Sequence, residues 1–105
     1  MKLSDLKYLL LEIGVPVFHY HAYQQSDKYI VWAEDGEASS NSADDQKIDQ
    51  VMQGTIDYFT NEEFDPNVEA IQEKLNAAEI SWRLNSIQYE EDTGYIHYEW
   101  VWELI

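Results

Sequence analysis

The chain has 105 residues, 45% of them hydrophobic, with four Trp, eight Tyr and three Phe, enough for one packed core and too few for two. Twenty-one Asp and Glu against six Lys and Arg give a formal net charge of -15, which repels nucleic acid and anionic lipid heads and excludes binding through a basic patch. With no cysteine, disulfides, thiol catalysis and zinc sites of the cysteine type are excluded as well.

At the N-terminus, Ser4 is placed to cap a helix and Asp5 to favour its dipole. Leu3, Leu6, Leu10 and Ile13 recur at helical spacing, with Leu9 widening the stripe, until Gly14 and Pro16 end it. Nothing here has the pattern of a signal peptide, and no segment approaches ~20 apolar residues, so a cytoplasmic protein without a membrane span is expected.

Residues 17–23 and 28–33 read as two strands rich in aromatic and β-branched residues, joined by a polar turn into a hairpin. Residues 34–46, EDGEASSNSADDQ, contain no large apolar side chain, and a mobile acidic loop is expected there. A third strand is expected over 48–59, with Met52, Gly54, Ile56 and Tyr58 on one side and Gly54 marking a bulge. Asp65-Pro66 is a start signal for a second helix, whose stripe is Val68, Ile71, Leu75 and Ala78. The closing unit pairs residues 82–89 with 95–104 through a turn in which Gly94 supplies positive φ.

The order α-β-β-β-α-β-β groups strands and helices instead of alternating them. It predicts a single α+β domain over residues 1–105: a two-layer sandwich with an antiparallel or mixed sheet of about five strands and both helices on one face. On the last strand, Ile96, Tyr98, Trp100, Trp102 and Leu104 then face the helices, and Tyr95, His97, Glu99, Val101 and Glu103 face away. In the first hairpin, one parity places Phe18, Tyr20, Ile30 and Trp32 inward and leaves Val17, Tyr23, Tyr29 and Val31 outward. An outer face that is part apolar and part charged fits a contact between subunits.

Few residues invite chemistry. His19 and His21, two apart on a strand, share a face, and His97 with Glu99 would complete a metal set, although half-exposed histidines beside tyrosines are the plainer reading. Glu34, Asp35, Glu37, Asp44 and Asp45 are oxygen ligands of the kind calcium takes, but their spacing fits no EF-hand. Glu90, Glu91 and Asp92, or Glu99 and Glu103, sit at a turn or on an outer strand face instead of across a cleft. There is no P-loop, nucleophile elbow, zinc-protease helix or dinucleotide fingerprint. The expectation is a protein that is not an enzyme and holds no cofactor; whether the three histidines take a metal stays open.

Four stretches carry a resemblance: GVPVFHY after the short helix, YIVWAEDG, GTIDYFT, and the closing WRLNSIQYEEDTGYIHYEWVWE. Together they resemble small tail or neck proteins, of tail-terminator or tail-completion type, from tailed phages and Gram-positive prophages. The resemblance implies a structural homo-oligomer that forms a ring, commonly sixfold, at the head–tail junction. Its partners would be its own copies and other tail or connector proteins, and it would be a virion component assembled in the bacterial cytoplasm. Within such a ring, Glu34, Asp35, Glu37, Asp44 and Asp45 are the candidates for a lumen-facing loop that keeps DNA from sticking. Tyr95, His97, Glu99, Val101 and Glu103 are the candidate subunit face. The alternative is an acidic DNA mimic that occupies the nucleic-acid site of a host protein; its support is charge alone.

Overall fold

Two indoles two residues apart, Trp100 and Trp102, lie fully buried at the centre of the molecule, and the rest of the fold is arranged around them. The computed structural model describes residues 1–38, 41–43 and 46–104. In chain order the elements are α1 (Leu3–Leu11), β1 (Val17–His19), β2 (Lys28–Glu37), β3 (Asn41–Ala43), β4 (Gln46–Asp49), β5 (Met52–Thr60), α2 (Pro66–Ala77), β6 (Ser81–Glu90) and β7 (Tyr95–Leu104). Five strands form one mixed sheet in the order β1-β2-β5-β7-β6, and β3 pairs only with β4. The β1–β2 pair is parallel and the other ladders of the large sheet are antiparallel.

The two helices cover one face of this sheet. Leu6 and Leu10 from α1 and Ile71 and Leu75 from α2 meet Ile30, Trp32, Ile56, Tyr58, Trp100, Trp102 and Leu104, all from one parity of their strands. The alternation of β7 therefore divides as expected. Gly54 sits beneath Trp102: a Cβ there would stand 1.9 Å from the Ala33 carbonyl oxygen and 2.6 Å from the indole ring. The glycine is required by close approach, and the ladder irregularity lies across from it on β2, between Glu34 and Gly36.

The second helix begins as its sequence indicates. The Asp65 carboxylate accepts from the Asn67 backbone N–H, and Pro66 occupies the first helical position. At α1 the cap moves: Lys2, not Ser4, is the N-cap, and its backbone N–H donates to the Asp5 carboxylate at 2.8 Å. Gly14 ends that segment at φ 93°.

Two expectations are corrected. The first strand stops at His19 because Tyr20 takes φ 76°, and residues 20–27 carry the chain back beside a strand only three residues long. The next strand thus enters parallel, and no hairpin forms. Parity on β1 is reversed as well: Val17 packs against the core, Phe18 reaches the outer face beside Tyr29, and Tyr20 is exposed. Second, the acidic stretch is not a loop from Glu34 onward. β2 continues through Glu37 against Met52, since a backbone ladder forms without apolar side chains. Beyond it β3 and β4 pair, and the third strand of the large sheet starts at Met52 instead of residue 48. Asp44 and Asp45 lie outside the described residues.

Candidate functional site

The outer face of the sheet holds the densest arrangement of aromatic and titratable side chains that the helices leave uncovered. β7 supplies Tyr95, His97, Glu99, Val101 and Glu103, all on this face as their parity requires, with Glu103 exposed and the other four half-buried. β5 contributes Thr55, Asp57 and Phe59, aligned by the register that sets Asp57 opposite Glu99 and Phe59 opposite His97.

Like charges facing each other across a ladder destabilise it, and here each carboxylate is turned to a separate partner. His97 Nε2 lies 2.7 Å from Asp57 Oδ1, with both side chains about one-fifth exposed. Asn85 Nδ2 donates to Glu99 Oε1 at 2.8 Å. The hydrogen bond to Asp57 pushes the His97 pKa above its ordinary value against the opposing effect of burial, and the charges of Asp57, Glu90 and Glu99 add to the rise. The ring also stacks on Phe59, with centroids 4.2 Å apart.

One end of this face is partly roofed. Tyr29 is 4% exposed, held among Phe18, Phe59 and Tyr95, and the Tyr95 hydroxyl donates to the Ser26 carbonyl in the segment after β1. A shallow depression remains beside that segment, lined by Tyr20, His21, Tyr29, Asp57, Phe59 and His97. His21 and His97 border the same hollow. His19 does not: it lies on the helix side of the sheet, stacked between Tyr20 and Trp32 and bonded to Glu34. The three histidines are thus not brought together, and among the described residues no group of three or more His, Cys, Asp or Glu converges as a metal site.

The acidic candidates disperse likewise. Glu34 is half-buried; burial would raise its pKa, but hydrogen bonds from His19, a backbone N–H and Tyr20 outweigh that and hold it below the usual carboxylate range. Asp35 accepts from Gln53 Nε2 at 3.4 Å, and Glu37 from Gln50 Nε2 at 3.2 Å.

A second polar cluster is structural. Asp65, 4% exposed, accepts from Tyr58 Oη at 2.6 Å and Thr60 Oγ1 at 2.7 Å while capping α2, with Lys28 Nζ 3.5 Å away. Burial and the bond to Asp65 push the Tyr58 pKa up to about 12. Burial would raise the Asp65 pKa too, but hydrogen bonds from Tyr58, Asn67 and Thr60 and the charge of Lys28 bring it below its ordinary value. This network joins β5 to α2, and Asp65 also borders a surface hollow lined by Phe64, Pro66, Val68, Glu69 and Tyr98.

Sequence reasoning passed over Asp57, whose parity with Thr55 and Phe59 was the signal. It also passed over Leu84, Ile87 and Tyr89 on β6, which remain exposed on the helix side of the sheet beyond the helices. Their pattern was hidden by an irregularity between Leu84 and Ser86 that swaps the parity of the strand midway. In comparisons with known proteins, no family model matches the chain and no curated relative does.

Proposed function

We propose that this chain is a non-enzymatic structural protein of a phage or prophage tail or neck, which self-assembles into a ring at the head–tail junction. The observation that carries the reading is the two-sided sheet. One face is covered by both helices over all but its β6 side, while the other bears half-buried aromatic and carboxylate residues with no helix over it. The tail or neck assignment draws on the resemblance of the four sequence stretches, and assembly into a ring draws on that resemblance together with the uncovered face. The acidic decoy has less support, because two carboxylates of the outer face, Asp57 and Glu99, are engaged by His97 and Asn85 instead of standing free at phosphate-like intervals.

Electron microscopy of the purified protein mixed with phage tail tubes tests the role. Rings seated at tube ends are expected. Tubes that stay uncapped at high protein concentration would sink the assignment to the tail.

A further inference from the structure

The 21 carboxylates are unevenly spread along the chain, and the two longest runs without one are residues 13–26 and 80–89. The first run contains β1 and the second nearly all of β6, which are the two outermost strands of the sheet. In a chain of net charge -15, β1 therefore carries no carboxylate and β6 carries one only at its last residue, Glu90, while the nearest carboxylate to β1, Glu34 on β2, is engaged by His19 and Tyr20. The same runs are apolar at the surface: of the nine large hydrophobic side chains left exposed among the described residues, five are Tyr20, Tyr23, Leu84, Ile87 and Tyr89. Each of these strands has a single strand partner in the large sheet. Pro16 O and Tyr20 N bond to β2, so by alternation the peptide groups of Val17 and His19 turn outward. β6 has only β7 beside it.

We infer that the β1 edge of one copy pairs with the β6 edge of the next, extending the sheet from subunit to subunit; this rests on the ring reading above and names its contact. The occupant is a second copy because of charge. A basic partner would be drawn to the acidic surfaces, whereas a partner as acidic as this chain can approach only where carboxylates are missing. The contact is head-to-tail because two different edges, on opposite sides of the sheet, share this character. A heterologous contact repeats around a closed ring, and a symmetric β6–β6 pair would end at two copies and leave the β1 edge without a role. Unpaired edges with exposed apolar residues are the surfaces that strand addition uses.

Lysine on an edge strand blocks pairing and here also lowers the net negative charge, so a loss of assembly cannot come from added repulsion. Tyr20→Lys, at the residue directly after β1 whose backbone N–H still bonds to β2, blocks the first edge and Ile87→Lys the second, with Leu84→Lys as an independent block of the second; all three replaced side chains are exposed. Each variant is checked for wild-type melting by circular dichroism and sized by native mass spectrometry and sedimentation. The expected result is that wild-type protein assembles, and each variant alone needs at least tenfold more protein to do so. A mixture of Tyr20→Lys with Ile87→Lys then stops at a one-to-one dimer, since one intact junction remains. Retention of a dimer by Tyr20→Lys alone, with loss in Ile87→Lys, would identify a symmetric β6 contact and overturn the inference. Wild-type rings from all three variants would overturn it while leaving the ring reading intact. Wild-type protein that stays monomeric at millimolar concentration in high salt would overturn both.

Discussion

Asp57 and Glu99 stand directly opposite each other on adjacent strands, and what makes that tolerable is a third residue one pair along the ladder. His97 bonds to Asp57 and takes on positive character more readily than a free histidine, for the reasons of hydrogen bonding and neighbouring charge given above. The linkage has a definite sign. A histidine whose folded pKa is raised stabilises the fold fully below its unfolded pKa of about 6.5, and that stabilisation is lost as pH climbs through the raised value. Urea unfolding of wild-type protein should therefore show stability declining as pH rises above about 6.5. In Asp57→Asn, which keeps the shape but loses the charge, the decline should flatten. Parallel stability–pH curves for the two proteins would show that His97 is not the group responsible.

At the scale of elements, the junction of β5 with α2 is the most firmly specified. Asp65 caps the helix with one oxygen and receives Tyr58 and Thr60 with the other, so a single buried carboxylate ties a central strand to the helix that covers it. Removing it leaves the Thr60 hydroxyl without its carboxylate acceptor and strips the cap. Asp65→Ala should cost about 3 kcal/mol, combining a lost cap of ~1 kcal/mol with buried polar groups deprived of partners at ~2 kcal/mol. The measurement is chemical denaturation with the m-value held as a check on cooperativity; a loss below ~1 kcal/mol would mean the network relaxes around the gap. This helix start was legible in the sequence because Asp-Pro acts through local chemistry, and β7 was legible because strict alternation leaves one assignment of faces. β1 was not. Its partner and direction follow from a left-handed turn at Tyr20, a residue whose side chain carries no preference for that backbone. The strand through Glu34, Asp35 and Glu37 was hidden for a different reason: it is held by backbone pairing with β5, and its polar side chains read as a loop. The Asp57–His97 pair was half visible, since parity put both on the outer face, but only the register between β5 and β7 brings them together.

At the scale of the molecule, the proposed ring sets apolar sheet edges against a net charge of -15 carried by each copy. Closing a ring brings those charges together over distances of tens of ångströms. The screening length is ~10 Å at 0.1 M salt and ~3 Å at 1 M, so repulsion between subunits is strongly salt-dependent while contact between apolar edges is not weakened. Added sodium chloride should therefore move assembly to lower protein concentration, as followed by sedimentation velocity. A charge-reduced variant separates screening from any general effect of salt on apolar burial. Glu91→Gln with Asp92→Asn alters two exposed carboxylates in the turn between β6 and β7, outside both acid-free runs. This variant should assemble more readily than wild type at low salt and respond less to added salt, because part of the repulsion is already gone. If salt instead dissolves the assembly, ion pairs between subunits dominate over repulsion, and the carboxylates, not the acid-free edges, are the surfaces in contact.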